Sequence, residues 1–507
     1  MQQLSSLDTQ FLHIENETTV GHVGSLILLD PARGARQDVT IESLRDVLEP
    51  RLHLVAPFRQ RLVIVPLGLG RPYWVDDPKF DIEFHLRELS LPSPGDDVQL
   101  GEQVSRIHAR PLDRTRPLWE IYLIHGLAGG RQAIYSKVHH AAIDGVSGAE
   151  ILATIMDVTA EPRVVDPPVD FWDPAPLPGA ADLLTRGVVS MLRQPLDAAR
   201  ILPTAIPHLA DLPGASLLPG AQTMSRMGDS LVSWATAGAR GRTVRRRTIV
   251  TPPTPLNGHI TAHRRFAFGS LPLDEVKAVK NAFGMTVNDV VMALCATVLR
   301  RWLLEHDGLP DIPIVAAVPV SVRGDGPLTD GNQISVMLVE LATQIRDPGD
   351  RLAAVQLALR EAKEQFEAVP ASILQDVAAV IPTALAGLAA KALFAMVTVG
   401  AFPFNLFVSN VPGPQLPLYV AGARVDGIYP VSAISDLTGA LNITLFSYDG
   451  KLDFGLIACR ELVPDVGGLI GYLREALDEL LLLAAEQGSA VPTARPRRTS
   501  RPSRRGG

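Results

Sequence analysis

Cysteine is nearly absent: the chain has two, Cys295 and Cys459, too far apart to frame a disulfide-stapled fold or a cluster of thiolate metal ligands. A secretory leader is missing too. Met1-Gln2-Gln3-Leu4-Ser5-Ser6-Leu7-Asp8 has no basic stretch followed by an apolar one, so the expected compartment is the cytoplasm. Long apolar runs are also lacking. The best candidate, Val377 to Phe404, is rich in alanine but broken by Pro382 and Lys391, short of the roughly 20 uninterrupted apolar residues a spanning helix needs. It reads as a core helix, with a membrane-docking surface as the alternative. The last stretch lacks acid: Arg495, Arg497, Arg498, Arg501, Arg504 and Arg505 stand among Pro492, Pro496 and Pro502. That is the pattern of a disordered basic tail, either passively solubilising or drawn to anionic lipid at about 1 kcal/mol per arginine. The remainder is therefore more acidic than the overall net charge of −7 implies.

What is present is ample core material. Hydrophobic residues make up 47% and charged residues 20%, which suits a globular protein rather than a disordered one. A chain of 507 residues exceeds what one core organises, so two domains of roughly 150–250 residues are expected. The pattern divides into a first block, 1–158; a Pro-rich crossover, 159–247; a second block, 248–487; and the tail, 488–507. The crossover opens with Pro162, Pro167, Pro168, Pro174, Pro176 and Pro178 and closes on Arg240, Arg242, Arg245, Arg246 and Arg247. Strands and helices mix in both blocks, which gives an α/β (α+β) class with two layered domains.

In the first block, Gln132 to Val138 alternates as a strand, with Ala133, Tyr135 and Lys137 on one face and Ile134, Ser136 and Val138 on the other. The run His139-His140-Ala141-Ala142-Ile143-Asp144-Gly145 follows. Ser147-Gly148-Ala149-Glu150 then fits a capping box ahead of Ile151, Leu152, Ile155 and Met156 at helical spacing. In the second block, Thr286-Val287-Asn288-Asp289 opens a helix whose apolar face is Val291, Leu294, Cys295, Val298 and Trp302. Strands are expected at Ile312–Val322, Ile334–Leu341, Phe404–Ser409 and Leu441–Ser447. The last turns through Asp449-Gly450 into Lys451–Ala458, and a final helix covers Val466 to Ala485.

Chemistry concentrates at the paired histidines. A neutral imidazole titrates near neutrality and can take a proton from a hydroxyl that attacks a carbonyl, an effect of about 10²–10⁴-fold. His140, expected just before a helix N-terminus, would be kept neutral by the helix dipole. Asp144 could cap that helix or pair with a cation. The alternative is a structural pair, because a lone histidine near a strand end usually packs or caps. Adjacent strand residues point to opposite faces, and no third ligand clusters nearby, so no metal site is expected.

The run His139–Gly145 resembles the HHxxxDG motif of the coenzyme A-dependent acyltransferase superfamily. Further matches are Leu4-Ser5-Ser6-Leu7-Asp8 with Phe11-Leu12, Trp74-Val75-Asp76-Asp77-Pro78 with Phe80-Asp81 and His85-Leu86-Arg87, and Pro117-Leu118-Trp119. Thr286-Val287-Asn288-Asp289, Pro319-Val320-Ser321-Val322-Arg323, Gly331-Asn332 and Ser409-Asn410-Val411-Pro412-Gly413-Pro414 continue the set. Together they resemble the bacterial wax ester synthase/diacylglycerol acyltransferase family over about residues 4–480. The DFGWG element of the plant acyltransferases is absent, and Leu4-Ser5-Ser6 stands where a proline commonly precedes the aspartate.

The resemblance implies two chloramphenicol-acetyltransferase-like domains with an active-site tunnel at their interface. In that fold His140 is the general base, assisted by His139, Asp144 and Gly145. It implies acyl-CoA as a substrate rather than a cofactor, diacylglycerol or a long-chain alcohol as acceptor, a peripheral place on the inner membrane face or a lipid droplet, and no nucleic-acid partner. Asp144 would shape the loop, with Arg323 as its candidate partner. Asn288 would polarise the substrate carbonyl or cap its helix; Asp289, Asn410 and Gly413 would support the site, the last two as a tight turn beside the tunnel. Trp119 is expected in a core and Cys459 as a packed thiol. The Arg240–Arg247 cluster is either a solvated linker end or a site for the phosphates of coenzyme A. A non-catalytic lipid-binding protein of the same fold, or acylation of a glycolipid or polyketide hydroxyl, remains the alternative.

Overall fold

The computed structural model describes residues 1–30, 38–143, 148–167, 174–190, 249–321, 334–367 and 403–490. In chain order the strands are β1 (Gln2–Gln3), β2 (His22–Asp30), β3 (Gln60–Val63), β4 (Tyr73–Asp76), β5 (Leu86–Ser90), β6 (Trp119–His125), β7 (Gln132–His139) and β8 (Arg264–Pro272). They continue as β9 (Ile314–Ser321), β10 (Ile334–Leu341), β11 (Leu406–Pro412), β12 (Tyr419–Val420), β13 (Ala423–Val431), β14 (Leu441–Tyr448) and β15 (Lys451–Cys459). They form a small sheet, β1-β4-β3, and two six-stranded sheets, β12-β13-β2-β7-β6-β5 and β10-β9-β11-β14-β15-β8.

Strand β7, which leads into the histidines, is buried along its whole length. It lies between β2 and β6, and its two faces enter different cores. Ala133 and Tyr135 pack on one side with Leu26 and Phe266, while Ile134 and Val138 pack on the other with Ile27 and Trp119. The period of two in the sequence is thus a division between cores rather than between core and water. Lys137, on the Tyr135 face, is buried too, 3.3 Å from Glu120 and donating to the carbonyls of Ile107 and Arg110.

The halves of the chain interlock. Strand β13 lies within residues 248–487, yet it pairs antiparallel with β2, Val425 opposite Leu29 and Ile428 opposite Ile27, with a register shift at Asp426. Its Val425 and Ile428, with Phe446 and Tyr448 of β14, fill the core beneath the first sheet. Where β15 crosses β13, Gly455 comes so close to the carbonyl of Pro430 that any Cβ would collide, a close approach only glycine permits.

Most expected elements are present, with shifted ends. The expected strand Phe404–Ser409 runs from Leu406 to Pro412, Ile312–Val322 from Ile314 to Ser321, and the final helix from Gly468 to Ala490. The helix after the motif spans Gly148–Ile155. Helix Val287–Glu305 is closed at its start by a capping box between Thr286 and Asp289, and Cys295 and Trp302 are buried in its core. Most of Val377–Phe404, the Arg240–Arg247 cluster, Ser147 with its expected cap and the basic tail lie outside the described residues. Among the described residues no single helix is long and apolar enough to cross a membrane.

Candidate active site

The site is assembled where β7 stops. His139 is its last residue, and a 3-10 turn, His140–Ala142, follows at once. His140 therefore begins this tight turn rather than directly preceding the α-helix, which corrects the dipole argument made from sequence. The entry to the turn is fixed by two backbone bonds, His139 N–H to Leu118 O at 2.9 Å and His140 N–H to Gly21 O at 2.8 Å. His139 is buried, its Nδ1 accepting from the Ala141 N–H at 3.1 Å. His140 is half-buried, and the ring of Phe11 stacks on its imidazole with centroids 3.9 Å apart and planes 19° from parallel.

Phe11 comes from helix Ser6–His13, and the chain beyond that helix closes over the other histidine. Oε1 of Glu15 lies 3.2 Å from Nε2 of His139 and accepts from the Gly21 N–H at 2.6 Å. Its Oε2 is bonded to Arg114, whose guanidinium also donates to the carbonyl of Leu12 at 2.9 Å. A Cβ on Gly21 would meet His139 Nε2 at 2.8 Å and the Phe11 carbonyl at 2.9 Å, so only glycine lets β2 pass this close. Burial would raise the Glu15 carboxyl, but hydrogen bonding and charge from His139, with the bonds from Arg114 and Gly21, outweigh it and hold the group at about 2. Glu15, Arg114 and Gly21 carry no signal in the sequence: they are acid, base and glycine at positions whose partners are set by folding.

Behind the site the interior is lined with neutral imidazoles. His22 pairs across the strands with His139, and its Nε2 is 2.6 Å from the carbonyl of His108. Burial first, then the neighbouring His108 and Lys137, pushes His22 well below the usual histidine range. Burial, then Lys137 and Arg264, takes His108 down to about 3. This wall resists any further positive charge.

The second half holds an amide pair. Asn410 Nδ2 donates to Asn288 Oδ1 at 3.2 Å, which brings together two residues singled out from sequence. The helix cap belongs to Thr286, with Asp289 returning the bond, so Asn288 does not cap. Asn410 lies within β11 rather than in a turn. Gly413, just beyond the strand, donates to Ser447 Oγ at 3.1 Å and packs against Phe446. Asp144, Gly145, Arg323, Gly331 and Asn332 lie outside the described residues, and with them the expected Asp144–Arg323 pair. Trp119 is core, its indole N–H donating to Phe58 O at 2.9 Å and its ring stacked on His85. Among the described residues no three His, Cys, Asp or Glu side chains are grouped to hold a metal ion.

The arrangement can position an imidazole for proton transfer and hold it against reorientation. Similarity to known proteins bears on what it transfers. The catalytic-domain model of the wax ester synthase/diacylglycerol acyltransferase family matches residues 4–291, and its C-terminal domain model residues 330–481. Two proteins of Mycobacterium tuberculosis that carry the provisional name diacylglycerol O-acyltransferase are similar. One is 37% identical over 482 residues, covering 94% of this chain and 99% of that one; the other is 34% identical over 497 residues, covering 96% and 91%. The wax ester synthase/diacylglycerol acyltransferase of Marinobacter aquaeolei VT8 superposes with a TM-score of 0.66 at 33% identity, covering 96% of this chain and all of that one. The first condensation domain of the calcium-dependent antibiotic synthetase shares the fold, with a TM-score of 0.53 at 16% identity.

Proposed function

The chain belongs to the wax ester synthase/diacylglycerol acyltransferase family, and on that footing we propose that it moves a fatty acyl group from acyl-CoA to the hydroxyl of diacylglycerol, with His140 as general base. The alcohol oxygen bonds to the thioester carbonyl carbon as its proton passes to the imidazole of His140. The tetrahedral intermediate then expels the coenzyme A sulfur. As the C–S bond breaks, the thiolate takes the proton back from His140, so atoms and charge balance without an acyl-enzyme.

A thioester needs no protein nucleophile, and neither thiol is placed to act as one. Cys295 is sealed in a helix core that pushes it up to about 12. Cys459 is buried and bonded to the Thr261 N–H. The observation that carries the reading is the fixed presentation of His140, stacked on Phe11 and tied through its backbone to Gly21.

The Asn410 to Asn288 bond fixes which end of the Asn288 amide carries its donors. Asn288 is on this reading the group that meets the developing oxyanion, and its loss is expected to cost about 10²–10³-fold in rate. Asp144 and Gly145 hold the motif loop, with Arg323 as partner of Asp144. Residues 1–158 and 248–487 act as the two acyltransferase domains, and the tunnel for both substrates runs between them. Since the acceptor is a lipid, the enzyme works at a lipid surface, the inner membrane face or a droplet.

The test is purified protein with acyl-CoA and diacylglycerol, read as free thiol release, beside His140→Ala. The variant is expected to lose about 10²–10⁴-fold. Equal release above background from both proteins would defeat the reading of His140 as base; release no faster than without protein would mean a non-catalytic lipid binder. A parallel series with long-chain alcohols measures wax ester synthesis against triacylglycerol synthesis.

A further inference from the structure

We infer that Glu15 is the positioning residue of this site: its carboxylate selects the tautomer of His139, and that tautomer in turn fixes the turn that presents His140. The inference rests on the reading of His140 as base.

The geometry allows one proton arrangement. Nδ1 of His139 faces the Ala141 N–H and must be unprotonated to accept from it. The ring proton therefore sits on Nε2, opposite Glu15 Oε1 at 3.2 Å. In the other neutral tautomer, or in the imidazolium, an N–H on Nδ1 would oppose the N–H of Ala141. The first bond of the His140–Ala142 turn would be lost. Glu15 makes the working tautomer the stable one because its carboxylate charge, 3.2 Å from Nε2, attracts an N–H at that nitrogen and repels a lone pair there.

Three further contacts show that the carboxylate is built into place. Oε1 also takes the Gly21 N–H, Oε2 is held by Arg114, and Arg114 ties the assembly to Leu12 at the end of the helix that bears Phe11. The same carboxylate thus governs both sides of His140: its turn, through His139, and its stacking partner, through Arg114. Glutamine at this position would keep the oxygen dipole but lose the charge that faces His139 and set an amide against the Arg114 guanidinium; alanine would keep neither contact.

The test compares the wild type, Glu15→Gln, Glu15→Ala and His140→Ala as full-length chains, measuring kcat and KM for acyl-CoA. Misplacing the reacting group is expected to lower kcat by about 10²-fold in Glu15→Ala, with KM within about threefold and Glu15→Gln intermediate. A clamp that merely stabilised the fold would lower the active fraction and leave the tautomer unchanged. The ring nitrogens of His139 are therefore read by 15N NMR on histidine-labelled protein, the signal identified by its loss in His139→Gln. The wild type is expected to show a protonated Nε2 and an unprotonated Nδ1, and Glu15→Ala a mixture. A protonated Nδ1 in the wild type overturns the inference without any variant needing to fold, as does a full kcat in Glu15→Ala. If His140→Ala retains wild-type turnover, the base reading itself has failed; if only the Glu15 variants retain it, the positioning role alone has.

Discussion

Arg51 carries its charge where almost no water reaches it. Its guanidinium grips both carboxylate oxygens of Asp157 at 2.9 Å and the carbonyl of Thr154 at 3.1 Å, tying down the end of the helix that follows the histidine motif. Removing one member strands the other in the interior, so Arg51→Met is expected to cost about 3–5 kcal/mol in chemical denaturation, whereas Arg51→Met with Asp157→Leu recovers much of it. Asp453 poses the opposite case. It is fully buried, accepting from Ser270 Oγ at 2.6 Å and the Ile428 N–H at 2.8 Å, and burial outweighs these bonds and raises it to about 6 from 3.8. A carboxyl raised on folding favours the folded state below its unfolded value, and that advantage is lost as pH climbs through the folded value. Asp453→Asn is thus expected to match or exceed the wild type at pH 7.5, by up to about 3 kcal/mol, with the gap closing toward pH 4. Melting curves at the two pH values decide it, and a gap that widens in acid would refute the assignment. At this scale the sequence is legible only where neighbours in the chain are neighbours in space. His139 and His140 announce themselves; Glu15 and Arg114 meet across about a hundred residues and cannot be paired by inspection.

Among the elements, those with strong local signals were readable and those fixed by distant partners were not. The hairpin β14–β15 turns through Asp449 and Gly450, both at positive φ, 41° and 80°, and an Asp-Gly pair between alternating apolar runs states this turn outright. Helix Val287–Glu305 is likewise declared by Thr286 and Asp289. Thr286→Ala is expected to lower stability by about 1 kcal/mol without changing kcat, since the hydroxyl only caps. Strand β13 escaped notice for two physical reasons. The shift at Asp426 breaks its alternation, and its partner β2 lies some four hundred residues earlier in the chain, where no periodicity can point to it.

Taken whole, the two blocks of pattern share a sheet and a core. The Pro-rich crossover separates two blocks of pattern, but Tyr419–Val431 stands in the first sheet, and the core beside Tyr135 holds Phe266, Ile457 and Cys459 from the second block. Unfolding is therefore expected as one calorimetric transition. A fragment of residues 1–247 would expose the edge of β2 with Leu26 to Leu29 and should be insoluble; a soluble, folded fragment would show that the halves are independent after all.

The placement of β13 also sets a clock. Just beyond the motif helix, the backbone N–H and C=O of Asp157 exchange bonds with Tyr419 at 2.8 Å in each direction. During synthesis at about 5–20 residues per second, the roughly 260 residues between them take on the order of 15–50 s to appear. For that interval the nascent chain lacks the partner of Asp157 and leaves the β13 edge of β2 uncovered. A ribosome that stalls before Tyr419 therefore releases a chain that needs a chaperone and has no catalyst to offer.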